Sequence, residues 1–148
     1  EITIKATKAF TVVSVTNGNG VDIAGTPTYD GSTATVTLAE PLFDGEKYTV
    51  TTSGLNDNGF VFYGTLSDGG LEIDHTNKFV TFSDWDDASF VVKVVYAGAT
   101  ETIPNASKTA SGYGFTTTIG AGSEFIVTVT RTGETQPIYA SRFEWPQP

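Results

Sequence analysis

The sequence has no cysteine and no methionine, a single histidine, and only 8 basic residues against 17 acidic ones. Without cysteine there are no disulfides, no thiolate metal ligands and no cysteine nucleophile. The formal net charge is −9. A nucleic-acid interface needs clustered Lys and Arg to displace counterions from phosphates, and no such cluster occurs. Insertion into, or binding at, an anionic membrane is disfavoured as well. No stretch approaches the ~20 apolar residues of a membrane-spanning helix; the longest apolar run, over 90–96, is interrupted by Lys93. The one histidine, His75, has no Gly-x-Ser-x-Gly elbow to supply a nucleophile for it to activate. A glycosidase needs only two carboxylates, but no spacing marks a pair among the acids. The chain therefore reads as a non-catalytic protein.

Hydrophobic residues make up 39% of the sequence and charged residues 17%, a balance that favours a packed core over disorder. Threonine, valine, glycine and aromatics dominate, which is the vocabulary of strands and turns. No window carries apolar residues at helical spacing, whereas period-two alternation recurs. It predicts strands over 2–6, 10–15, 33–38, 47–51, 60–66, 78–82, 89–96, 114–119, 124–131 and 137–143, with a short one at 100–103. The strand at 89–96 has valines on both faces and is expected to lie inside a sheet. Asn17-Gly18-Asn19-Gly20, Asp30-Gly31, Asp44-Gly45, Asn58-Gly59, Asp68-Gly69-Gly70 and Thr132-Gly133 supply turn residues between the runs. The pattern predicts an all-β fold, an antiparallel β-sandwich of immunoglobulin-like or jelly-roll-like type with about 10–12 strands. One module over 1–148 is expected, with two small β units over 1–56 and 60–148 as the alternative.

One stretch resembles a known family. Tyr29-Asp30-Gly31-Ser32-Thr33-Ala34-Thr35-Val36-Thr37-Leu38 leads into Asp44-Gly45-Glu46-Lys47-Tyr48-Thr49-Val50-Thr51 and then Gly54-Leu55-Asn56-Asp57. This resembles the second half of bacterial immunoglobulin-like repeats, which occur in S-layer proteins and modular extracellular enzymes. The resemblance covers residues 29–57, implies a secreted or cell-surface setting and a non-catalytic role, and carries over no site. It ends at Asp57, where a repeat would finish, yet β-patterned chain continues. The opening at Glu1 is read as a signal peptide already removed or as an excised segment.

Two constellations could bind a ligand. Asp84, Asp86 and Asp87 flank Trp85 in a turn. Loop carboxylates with backbone carbonyls are calcium's ligands, so these three are the candidate calcium residues and calcium the one candidate cofactor; no cofactor is required by the pattern. Trp85, Tyr113 and Trp145 stand in polar or glycine-rich settings and are candidate platforms for stacking a sugar ring. The first strand, over 2–6, has Ile2 and Ile4 on one face. It is expected either to join its own sheet or to add to that of a neighbouring subunit. The expected role is an extracellular structural or adhesive module of a bacterial surface protein, part of an S-layer-type array or filament, with its own copies as partners. The alternative is a carbohydrate-binding module of a polysaccharide-degrading enzyme.

Overall fold

The computed structural model describes residues 1–147. They form an all-β protein of four antiparallel sheets, with no helix beyond a single 3-10 turn at Asn105–Ser107. In place of the single module expected from the sequence there are two compact units, Glu1–Thr65 and a second from Leu66 onward. Each has its own core, which is why they separate. The break falls after residues 56–60 because the Asn58-Gly59 turn does not end the unit. It feeds a strand that pairs back onto the first unit.

The first unit holds β1 (Ile2–Lys5), β2 (Thr11–Thr16), β3 (Thr28–Asp30), β4 (Thr33–Val36), β5 (Lys47–Ser53) and β6 (Gly59–Tyr63). They make two three-stranded sheets, ordered β1-β4-β3 and β2-β5-β6. Alternation decides the layering: Ile4, Ala34 and Val36 from one sheet and Val12, Val15, Tyr48 and Val50 from the other are buried in one cluster. Each fully buried side chain of this size contributes roughly 1.5–3 kcal/mol. Tyr48 also fastens the loop before its strand. Its hydroxyl accepts from the Phe43 amide at 2.8 Å and lies 3.2 Å from the Pro41 carbonyl, to which it donates. Burial pushes the Tyr48 phenol far up from its ordinary value. The turn at Asp30-Gly31 forms as expected, with Gly31 at φ 60°, a conformation glycine adopts without a Cβ penalty.

The second unit holds β7 (Glu72–Asp74), β8 (Phe79–Thr81), β9 (Phe90–Tyr96), β10 (Ala99–Ile103), β11 (Lys108–Thr109), β12 (Gly112–Gly114), β13 (Glu124–Arg131) and β14 (Tyr139–Glu144). The sheets are ordered β10-β9-β13-β14 and β11-β12-β8-β7. β9 lies inside its sheet, as its doubly apolar pattern predicts. Phe90, Val92, Val94, Phe125, Val127 and Val129 from one sheet share a core with Val80 and Tyr113 from the other. The strand expected over 114–119 is a correction: strand pairing ends at Gly114. Beyond it Thr116 and Thr117 bond to the Glu101 carboxylate rather than to a neighbouring strand.

Candidate functional site

Asp84, Asp86 and Asp87 are exposed in the turn between β8 and β9. Among the described residues no three His, Cys, Asp or Glu side chains are grouped to hold a metal ion. The Lys108 ammonium reaches the carbonyls of Trp85 and Ala88 at 3.4 and 3.3 Å.

The three aromatics do not form a platform either. Tyr113 has no exposed surface; its ring stacks on Phe82 at 5.7 Å and its hydroxyl bonds Asn105 Oδ1 at 3.1 Å. A buried ring has no face to offer a sugar, and the expectation for Tyr113 is corrected. Trp85 and Trp145 are half-buried against the core of the second unit. Trp145 packs edge-on to Phe115 and lies 5.9 Å from Phe125. His75 meets the Trp145 ring edge-on at 5.0 Å, and among the described residues its buried Nε2 has no hydrogen-bond partner. Among the described residues no serine or carboxylate is therefore bonded to that nitrogen.

The exposed apolar surface lies elsewhere. The large hydrophobic side chains with most exposure are Val13, Val21, Tyr29, Phe60, Val61 and Tyr63, all in the first unit, and three of them belong to β6. β6 reads Gly-Phe-Val-Phe-Tyr and is an edge strand, with β5 on one side and no strand on the other. An open sheet edge is a template for another strand, and proteins guard edges with charge, proline, bulges or covering segments. Every other edge here is guarded. β1 carries Lys5, β3 Asp30, β7 Glu72 and Asp74, β10 Glu101, β11 Lys108 and β14 Arg142 and Glu144. β2 has no charge, but it has a bulge between Val12 and Ser14, and its amides at Val12 and Val15 are taken by the Tyr29 hydroxyl and the Asp22 carboxylate. β6 has no charge, no proline and no bulge.

Backbone geometry fixes which groups β6 presents. In an antiparallel pair, directly opposed residues alternate between bonded and non-bonded rows. Thr52 donates to the Asn58 carbonyl at 2.7 Å and Gly64 to the Glu46 carbonyl at 2.9 Å. Phe60 and Phe62 fall in the same phase and bond toward β5, so the N–H and C=O groups of Gly59, Val61 and Tyr63 point outward. By the same logic Ala6 donates to Ser32 on the far side of β1, which leaves the backbone of Thr3 and Lys5 outward. β1 and β6 are edges of the two facing sheets. The seam between them is a groove of about 190 Å³ lined by Ile2, Thr3, Ile4, Phe60 and Phe62. It continues past Lys5, Lys8, Leu55, Asn56 and Asp57. Ile2 and Ile4 were expected to share a face and do. That β6 would be a bare edge was missed, because edge position is decided by which strands pair and not by the residues of the strand itself.

The chain matches no protein-family profile, no curated protein and no solved structure.

Proposed function

We propose that this chain is a non-catalytic extracellular structural or adhesive module, of the kind found in bacterial surface arrays and filaments. It would act by taking an added β-strand along β6 and the seam beside β1. The observation that carries the reading is the bare edge of β6, uncharged, unbulged and exposed through Phe60, Val61 and Tyr63. Strand addition draws its affinity from main-chain hydrogen bonds and its selectivity from alternate side chains seated in pockets. β6 offers the first through Gly59, Val61 and Tyr63, and the seam offers the second through Ile2, Ile4, Phe60 and Phe62. The resemblance of residues 29–57 to bacterial immunoglobulin-like repeats and the cysteine-free, acidic composition support the same setting. The carbohydrate-binding alternative loses Tyr113 to burial and finds Trp85 and Trp145 half-committed to the core.

Titrating the isotope-labelled chain with an extended peptide copying residues 57–65 tests this. Amide shifts at Gly59, Val61 and Tyr63, with smaller ones at Thr3 and Lys5, are the expected result. A peptide that leaves all five amides unmoved overturns the strand-accepting reading.

A further inference from the structure

We infer that the strand added to β6 is β6 of a second copy, antiparallel, about a two-fold axis at Val61. This rests on the strand-accepting reading and names the occupant. Three observations carry it.

The first is self-complementarity. With Val61 opposite its own copy, Gly59 faces the partner copy's residue 63 and Phe60 its residue 62. All five residues overlap, and the outward groups of Gly59, Val61 and Tyr63 meet outward groups, giving about six new backbone hydrogen bonds. No other two-fold register overlaps the whole strand. Phe60 and Phe62 then fall in the narrow rows, where side chains approach most closely, as aromatic pairs on the inner face. On the outer face each Tyr63 lies beside a glycine, a pairing that shields the bare backbone. A Cβ at Gly59 would collide with the Val50 carbonyl, so glycine is required there by the fold as well.

The second is charge. The chain carries −9 overall, so most surfaces of two copies repel, yet the strand itself carries none. Its ends differ in sign. At the Gly59 end lie Lys5 and Lys8, two of the three basic residues in residues 1–65, together with Asp57. At the Gly64 end lie Asp44 and Glu46, whose backbones pair with Gly64, together with Lys47 opposite Tyr63. The antiparallel two-fold sets each net basic end against the other copy's net acidic end.

The third is the guarding of every other edge, which leaves β6 as the surface where two copies meet without a charge, bulge or cap between them. An edge of five residues is small beside the roughly 1,200–2,000 Å² buried in stable complexes, so the pairing is a weak one.

Sedimentation velocity on the full chain from about 10 μM to about 1 mM reads it, the range where interfaces below standard size associate. The wild type is expected to move toward twice the chain mass as concentration rises. V61K and V61E are each expected to stay monomeric, because residue 61 faces itself across the axis, and their equimolar mixture to regain the wild-type dimer. Circular dichroism and melting guard against unfolding, and Val61 points outward at 46% exposure. A wild type that is monomeric throughout overturns the inference, as does V61K dimerising like the wild type or a mixture that fails to recover. If the chain stays monomeric while the 57–65 peptide still shifts Gly59, Val61 and Tyr63, the seam takes a strand from another protein. The self-pairing then falls and the strand-accepting reading stands.

Discussion

The two long sides of the first unit are finished differently. Along one, β2 and β3 are stitched together. The Tyr29 hydroxyl accepts from the Val12 amide at 2.9 Å, Asp22 accepts from Val15 at 3.2 Å, and the backbone of Ile23 donates to Val15 while its carbonyl accepts from Ala39. The Phe10 and Tyr29 rings meet edge-on beneath. Along the other, β1 and β6 leave a groove with no such stitching. Small two-layer units need their edges resolved, and the contrast teaches how little suffices: one tyrosine, one aspartate and a bulge close a side that is otherwise as apolar as the open one.

The comparison yields predictions of decreasing size. Tyr48→Ala removes a fully buried ring that stacks on Phe62 at 5.4 Å and fastens Phe43 and Pro41. It should destabilise the first unit by about 3–5 kcal/mol in denaturant unfolding and release β6 with it. Tyr29→Phe keeps the ring and removes only the stitch at Val12. The cost should be about 1–2 kcal/mol, with faster hydrogen exchange at the Val12 amide. If that amide exchanges no faster, the closed side is held by something other than Tyr29.

The second unit finishes a gap in another way. The Glu101 carboxylate is pushed up by partial burial, but the hydroxyls and amides of Thr116 and Thr117 together outweigh this and hold it below its usual value. A carboxyl lowered in the folded state binds protons less readily than in the unfolded chain. Its stabilisation is present above the ordinary carboxylate pKa and fades as pH falls through the lowered one. Glu101→Gln should therefore lose stability at neutral pH and show a shallower decline below about pH 4.5, read by melting temperature against pH. The smallest effect belongs to the open side. V61K at the outward face of β6 should change the monomer's stability by less than about 0.5 kcal/mol. Measured in dilute solution, a larger loss would mean that the edge of β6 is already engaged within the chain.

Period-two alternation made the long strands legible. Tyr48 and Val50, Phe90 to Val94, and Phe125 to Val129 alternate cleanly because one face of each meets a core. The short strands β3, β7 and β11 escaped because two or three residues cannot display a period. The region after Gly114 was misread because Phe115 and Ile119 are buried, yet the pairing toward β8 ends with the Phe115 amide's bond to the Lys78 carbonyl. Burial follows from apolar character, whereas strand pairing also needs a backbone partner, and there Glu101 supplies a side chain instead. Tyr113 was misread for a related reason. Flanking glycines around an aromatic mark a close backbone approach, here Gly112 against the Val80 carbonyl, as readily as exposure. The open seam lies beyond local pattern altogether, since edge or interior position is decided by which strands pair, not by the residues of the strand itself.

The brevity of β6 also sets when its edge would be used. Five residues hold a neighbour only loosely, and occupancy of a loose two-fold contact rises steeply with local density. Free chains in dilute solution would remain apart, whereas copies tethered side by side, at effective concentrations of about a millimolar, would zip together. A strand two or three residues longer would aggregate indiscriminately, and a single lysine on it would not pair at all. On the proposed self-pairing, Gly59–Tyr63 would act as a crowding threshold written into the length of one strand.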